Sequence, residues 1–202
     1  IRIVDRFIRR QYTTKWLGSV DSTPHFGSAG RSVERAVWTA ATIAEWSTVV
    51  GRHSSTFMLD IAKAFENVRH DVLMECAVKL GYSRLVIRWL ISLYQSKRVL
   101  SYQNGLSSVV KATVSVVPGS SHADICMNLL LMTPLQRCRE HFPSVMLGCV
   151  VDDIQALVHG PSVAAVAKLV TESSQYLVDM LQNVSRLPIS LPKLVTVSSS
   201  SV

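Results

Sequence analysis

Residues 147 to 158 read Leu147-Gly-Cys-Val-Val-Asp-Asp-Ile-Gln-Ala-Leu-Val158. The acid pair Asp152 and Asp153 is flanked on both sides by short apolar runs rich in Val and Ile. Such runs around a polar pair are the pattern of two strands joined by a tight turn. The sequence therefore predicts a hairpin with two carboxylates at its bend. A third acid, Asp60, ends a similar run, Thr56-Phe-Met-Leu-Asp60. A strand end and a hairpin tip can meet at one point. Three carboxylates gathered there repel one another unless cations sit among them, and hard oxygen donors favour Mg²⁺. Taken alone, the acid pair reads equally well as a polar turn.

The surroundings of these acids narrow the choice. Leu59-Asp-Ile-Ala-Lys-Ala-Phe-Glu-Asn-Val-Arg-His70 resembles the first catalytic motif of reverse transcriptases of the non-LTR retrotransposon and group II intron type, Leu-Asp-x-x-Lys-Ala-Phe-Asp-x-Val-x-His. Val117-Pro-Gly-Ser120, followed by Asn128-Leu-Leu, is similar to the family's Pro-Gln-Gly-Ser loop and its helix. Val-Val-Asp-Asp resembles the Tyr-Ala-Asp-Asp box. Leu187-Pro-Ile-Ser-Leu-Pro-Lys193 resembles the later segment whose lysine serves the active site. Phe26-Gly-Ser-Ala-Gly-Arg-Ser32 resembles the fingers segment Gly-Phe-Arg-x-Gly-Arg-Ser. The five matches occur in the family's order, over roughly residues 20 to 198.

Length and composition set outer limits. A chain of 202 residues, 48% of them hydrophobic, can bury a sizeable core as one domain or two joined lobes and is not a disordered tail. No apolar run reaches the length of a membrane span. Residues 1 to 16 carry Arg2, Asp5, Arg6, Arg9, Arg10 and Lys15, which excludes a signal peptide. An intracellular setting, the nucleus included, is expected rather than secretion. The missing initial Met suggests a fragment or a processed product. The formal charge of +7 suits a polyanionic partner. Cys76, Cys126, Cys138 and Cys149 show no metal-ligand spacing and read as buried thiols.

Along the chain, apolar residues recur at helical spacing from Ile3 to Trp16, and residues 17 to 30 read as a loop. Ser32 is placed to cap a helix to about residue 50, with Val33, Ala36, Val37, Ala40 and Ala44 on one face. A strand is expected at about 55 to 61. Asp71 and Ser83 are candidate caps for two helices separated by Gly81. The second of these sets Leu85, Trp89 and Leu93 on one stripe, read as core. Asn104-Gly105 predicts a hairpin turn between runs 98 to 103 and 108 to 117. A helix over about 122 to 140, the acidic hairpin, a helix over about 162 to 184 and a strand at 194 to 198 complete the pattern. This order suits an α+β sheet covered on one face.

The resemblance implies the rest. It makes the antiparallel sheet with its packed helices a polymerase palm, covering residues 55–202, with residues 1–54 as partial helical fingers and the thumb absent. It implies RNA-directed DNA polymerisation, with RNA template, DNA primer and deoxynucleoside triphosphates as partners and no membrane. Two Mg²⁺ ions, or Mn²⁺ in their place, would be held by Asp60, Asp152, Asp153 and the backbone carbonyl of Ile61. Lys193 would meet the charge of the departing pyrophosphate. Arg31, Ala62, Phe65, Pro118 and Gly119 would surround the nucleotide, with Phe65 excluding a 2′-hydroxyl and Arg31 gripping a phosphate. Plain alternatives stand beside these roles: ring packing for Phe65, solvation for Lys193, a surface pair with Glu34 for Arg31. His70 and Lys63 match the motif but read as structural.

Three departures weaken the match. The glutamine between Pro118 and Gly119 is absent, Val150 stands where the box carries an aromatic, and Ser28 replaces an arginine. The competing expectation is thus a catalytically inactive, nucleic-acid-binding remnant of the same fold. A basic helical interaction protein whose motifs match by chance is a third.

Overall fold

The computed structural model describes residues 2–21, 24–25, 32–103 and 105–199. Most of the fingers-like segment, Arg31 included, lies outside the described residues, so the expected role of Arg31 has no structural counterpart here. The chain divides into two compact units. Unit 1 comprises Ile1–Asp21 and Lys63–Leu130, and unit 2 comprises Ser22–Ala62 and Leu131–Val202.

Unit 2 is built on a four-stranded antiparallel sheet in the order β4-β5-β1-β6. The strands are β1 (His53–Leu59), β4 (Met146–Val150), β5 (Asp153–Gly160) and β6 (Val195–Ser198). In the β1–β5 ladder, Phe57 faces Ala156 and Leu59 faces Ile154. All four are at most 2% exposed, so this face of the sheet is core. Helix α7 (Val163–Asn183) lies on that side, capped by the Ser162 hydroxyl, which accepts from the Ala165 amide. The opposite face carries Thr56, Met58, Gln155 and Leu157. Helix α3 (Val33–Val49), capped by Ser32, lies over it and buries Ala36. The sheet is therefore covered on both faces, not on one: the α3 stripe of Ala36, Thr39, Ala40 and Ile43 is small enough to settle against Thr56, Gln155 and Leu157.

Unit 1 is mainly helical. It opens with α1 (Arg2–Ile8), one π-helical turn (Arg9–Thr13) and α2 (Thr14–Ser19). The Trp16 indole donates to the Leu80 carbonyl at 2.8 Å, and Thr13 bonds the Tyr82 hydroxyl at 3.0 Å, which ties these turns to the rest of the unit. Helices α4 (His70–Lys79) and α5 (Arg84–Tyr94) follow, with Gly81 between them at φ +68. Ser83 caps α5 as expected. Asp71 does not cap α4. Arg69 holds that position and Asp71 sits in the first turn, where its charge suits the helix dipole and meets the Arg69 guanidinium. The α5 stripe also differs. Leu85 is 73% exposed and Leu93 44%, while Val86, Ile87, Leu90 and Ile91 are buried. Val86, Ile87, Leu90, Ile91 and Tyr94 form one face at helical spacing and Arg88 and Ser92 lie on the other side, so the period does mark the buried face and the stripe taken every fourth residue from Leu85 misses it.

The hairpin of unit 1 is shorter than its β-like runs imply, pairing β2 (Ser101–Tyr102) with β3 (Gly105–Leu106). Tyr102 faces Gly105, which places Gly105 in the strand rather than in the turn. Gln103, directly after β2, carries a positive φ of 44°. Helix α6 (Ala123–His141) supplies residues to each unit. Cys126, Met127, Leu129, Leu130, Leu131, Met132, Leu135 and Cys138 are fully buried along it, as expected of a helix that is apolar all round. Each fully buried aliphatic side chain contributes roughly 1.5–3 kcal/mol. All four cysteines are free and buried, and burial pushes the Cys126 and Cys149 thiols up to about 12.

Candidate active site

The acidic hairpin is built from sequence upward. Val150 pairs with Asp153, so Val151 and Asp152 alone form the loop between β4 and β5. Val151 takes φ +59. A two-residue loop needs such a conformation, but a β-branched side chain adopts it only under strain, on the order of 1–3 kcal/mol. Strain of that kind persists where the surroundings over-determine it. Here the Cys149 amide donates to the Pro24 carbonyl at 2.7 Å and pins the strand just before the turn.

Asp60 follows β1 directly. The β1–β5 register, extended by one residue beyond Leu59 and Ile154, sets Asp60 opposite Asp153 on the face shared with Met58 and Gln155. Asp152, at the loop tip, has its carboxyl raised above the ordinary range, first by burial, then by the charge of Asp153 and further by that of Asp60. The three acids therefore share one electrostatic neighbourhood.

Lys193 reaches the same neighbourhood by a separate route. Beyond Asp60 the chain pairs with the segment that precedes the lysine: the Ser190 amide donates to the Asp60 carbonyl at 2.9 Å, and the Ala62 amide to the Pro188 carbonyl at 2.8 Å. Ile61, 2% exposed, bridges Ile189 at the centre of this pairing. A 3₁₀ turn (Leu191–Lys193) then loops out before β6 resumes pairing with β1. The loop-out delivers the Lys193 Nζ to Asp60 Oδ2 at 3.0 Å. Asp60's side chain is 23% exposed and that of Lys193 68%, so the pair is half in solvent and its Coulombic gain is largely screened.

A cavity of about 460 Å³ lies against this cluster. Val33, Ala36 and Val37 of α3 form one wall, Met58, Gln155 and Val195 lie along the sheet, and Asp60, Asp153 and Lys193 occupy the charged end. Its apolar body with a few converging charged groups has the character of a small-ligand site. Met58, Gln155 and Val195 were not expected at the site, although period two marks two of them: Met58 lies two before Asp60, and Gln155 two after Asp153.

The donors are all carboxylate oxygen, the chemistry a hard divalent cation takes. The Asp152 carboxyl is raised first by burial and then by its carboxylate neighbours, and such a cation relieves the second of these. In the arrangement described, however, the charge on Asp60 is met by Lys193. Among the described residues no group of three or more His, Cys, Asp or Glu side chains is disposed to hold a metal ion.

The remaining expected residues belong to unit 1 and are described there alone. Phe65 is half-buried, and its carbonyl accepts from the Val116 amide at 2.8 Å. Pro118 and Gly119 form the tight turn before α6, with Gly119 at φ +75. Asp124 and Asp179 lie elsewhere. Asp124 pairs with Arg9 at 2.8 Å, and Asp179 accepts from Gln175 on α7.

No protein-family model and no curated protein sequence matches the chain. Its fold is similar to those of solved telomerase structures. Apo telomerase from Candida Tropicalis, truncated from its C-terminal domain, aligns with a TM-score of 0.66 at 11% identity, over 98% of this chain and 43% of that one. Telomerase from Candida albicans, in complex with the TWJ fragment of telomeric RNA, aligns with a TM-score of 0.63 at 11% identity, over 100% of this chain and 34% of that one. The chain thus spans less than half the length of either. Telomerase is related to reverse transcriptases, and at this identity the likeness is one of fold. The chain has an α+β, reverse-transcriptase-like architecture with a palm-like antiparallel sheet.

Proposed function

We propose that the chain is part of an RNA-directed DNA polymerase of the non-LTR retroelement or group II intron type, adding deoxynucleotides to a primer 3′-hydroxyl on an RNA template. Residues 1–54 are assigned to the fingers and residues 55–202 to the palm. The observation that supports the reading is the strand register that sets Asp60 opposite Asp153, next to Asp152, in a reverse-transcriptase-like fold. The neighbour from Candida albicans is described in complex with telomeric RNA, and the +7 charge suits a nucleic-acid partner.

On this reading Asp60, Asp152 and Asp153, with the Ile61 carbonyl, would hold Mg²⁺ or Mn²⁺. The ions would supply Lewis-acid stabilisation of the attacking and leaving oxygens. Asp60 and Asp152 would serve both ions, and Asp153 would complete the carboxylate cluster on the primer side. Lys193, free to leave Asp60 because the pair is half-solvated, turns its ammonium toward the pyrophosphate as charge develops there. Ala62, Pro118 and Gly119 bear on the nucleotide, and Phe65 rejects a ribose 2′-hydroxyl by steric clash.

The test is primer extension on an RNA template with varied Mg²⁺. Asp60→Asn is expected to lower extension by at least about a thousandfold while far-UV dichroism and Tm stay close to the parent, since removing one ligand of a two-metal site removes transition-state charge stabilisation. Equal extension by parent and variant rejects the ligand role. The second reading, a nucleic-acid-binding remnant, draws on the Lys193–Asp60 pair and on the missing glutamine before Gly119. Its signature is salt-sensitive RNA binding that is indifferent to Mg²⁺, without extension.

A further inference from the structure

The segment from Ser115 to Ser120, which contains Pro118 and Gly119, is gripped at both ends by two stacked rings. His70 and Tyr94 lie with ring centroids 6.4 Å apart and planes inclined by 26°. They are 4% and 5% exposed. At the near end, the His70 Nε2 lies 2.8 Å from the Ser115 carbonyl. A carbonyl can only accept, so Nε2 carries the proton. The other ring nitrogen, Nδ1, accepts from the Gln95 amide at 3.3 Å. Gln95 thus fixes the tautomer that lets His70 donate. At the far end, the Tyr94 hydroxyl meets the Ser120 hydroxyl at 2.8 Å.

What His70 holds is strained. Ser115 takes φ +89, in a region that side chains other than glycine rarely enter. Both its backbone groups are tied to the chain where it enters α4. Its amide donates to the Val68 carbonyl at 2.8 Å, and its carbonyl accepts from His70. The next amide, Val116, donates to the Phe65 carbonyl at 2.8 Å. The left-handed kink at Ser115 thus aims the following residues back onto Phe65. Strain at a loop residue that a buried ring pins in place is a device for fixing geometry rather than for filling space.

We propose that His70, braced by Gln95 and stacked on Tyr94, is a positioning residue that holds Ser115 in its left-handed conformation and so fixes the Pro118–Gly119 turn relative to Phe65. Its consequence for nucleotide selection rests on the polymerase reading above. The clamp itself does not.

The test uses the full chain and two readouts. The first is amide hydrogen exchange. His70→Phe keeps the stacked ring and its volume but loses the donor, and is expected to speed exchange at Ser115 and Val116 by about tenfold while the α6 core at Leu129 to Met132 is unchanged. His70→Gln, whose amide can both donate to Ser115 and accept from Gln95, should restore protection. Ser115→Gly in the His70→Phe background should restore it as well, because glycine reaches φ +89 without steric cost. Unchanged exchange in His70→Phe, failure of both rescues, or equal loss of protection in the α6 core overturns the proposal.

The second readout is the ratio of ribonucleotide to deoxyribonucleotide incorporation. It should rise in His70→Phe and return in the Ser115→Gly double variant. A parent that extends no primer overturns the polymerase reading and leaves the clamp to be decided by exchange. A parent that extends, with a ratio unmoved by a variant whose loop is loosened, overturns the positioning of Phe65.

Discussion

Unit 1 carries thirteen Lys and Arg against six Asp and Glu, whereas unit 2 carries eight against eight. The whole +7 of the chain therefore belongs to unit 1. The acids of the proposed chemistry lie in unit 2, where Lys193 already neutralises Asp60. In unit 1, Arg9, Arg69 and Lys79 have carboxylate partners, but the exposed Arg84, Arg88, Lys97 and Lys111 have none among the described residues. Helix α5 contains no acid at all, and Arg84 opens it, where the helix dipole disfavours a cation. A charge pattern that local stability opposes points to a partner outside the chain. The difference teaches that polyanion affinity and carboxylate chemistry need opposite local charge, and on the proposed function they would fall on separate units.

The largest effect expected from that contrast is on nucleic-acid binding. Arg84→Glu with Arg88→Glu, in unit 1, and Arg137→Glu with Lys168→Glu, in unit 2, both take the formal charge from +7 to +3. Filter or anisotropy binding to RNA at roughly 0.1 M salt should weaken by about 10- to 100-fold for the first pair, and the slope of log affinity against log salt should fall by about two. The second pair should weaken binding by less than about threefold. Arg84→Glu improves the α5 dipole interaction, so a loss cannot be laid to unfolding. Equal losses for the two pairs would break the comparison, because binding would then follow total charge alone.

A smaller effect sharpens it. Phe65 belongs to unit 1, away from the excess charge of α5 in chemical character: it is a half-buried ring whose carbonyl holds Val116. Phe65→Val should raise ribonucleotide use relative to deoxyribonucleotide use by on the order of tenfold, read as the ratio of the two kcat/KM values. If both efficiencies fall together, the ring is packing and unit 1 contributes affinity without selecting the sugar.

Much of the frame was legible because its signals are local. Ser32 and Ser83 each cap the helix that follows, and the valine-rich flanks of Asp152 gave the β4–β5 hairpin. The errors lie where a local signal was taken in the wrong register. On α5 the stripe of Leu85, Trp89 and Leu93 misses the face of Val86, Ile87, Leu90, Ile91 and Tyr94, which the exposed Arg88 and Ser92 mark from the other side. Asn104-Gly105 suits a turn, yet Gly105 pairs with Tyr102 in the strand. The link from Lys193 to Asp60 was not derivable from spacing, since it depends on Pro188 and Ser190 pairing with a strand end more than a hundred residues earlier. Ser115 gave no sign of its kink, because its left-handed conformation is imposed by His70 and Val68 rather than by its own residue type.

The smallest expected effect concerns one cation that unit 1 has already neutralised. Arg69 donates to both carboxylate oxygens of Asp71, and this holds the Asp71 carboxyl at about 2, below the ordinary value of about 3.9. A carboxyl depressed on folding contributes stability that is complete above its unfolded value and is lost as pH falls toward the folded one. Asp71→Asn should thus lower Tm slightly at pH 7, by no more than about 1 °C for so exposed a pair. The gap should close as pH falls from about 4 to about 2. The same change frees Arg69 and raises the formal charge by one, so RNA binding at neutral pH should tighten slightly, with a marginally steeper salt dependence. A Tm gap that persists unchanged in acid would mean that Asp71 acts through its place in the first turn of α4 rather than through Arg69. Unchanged RNA binding would remove Arg69 from the basic surface and confine the polyanion site to cations that have no partner of their own.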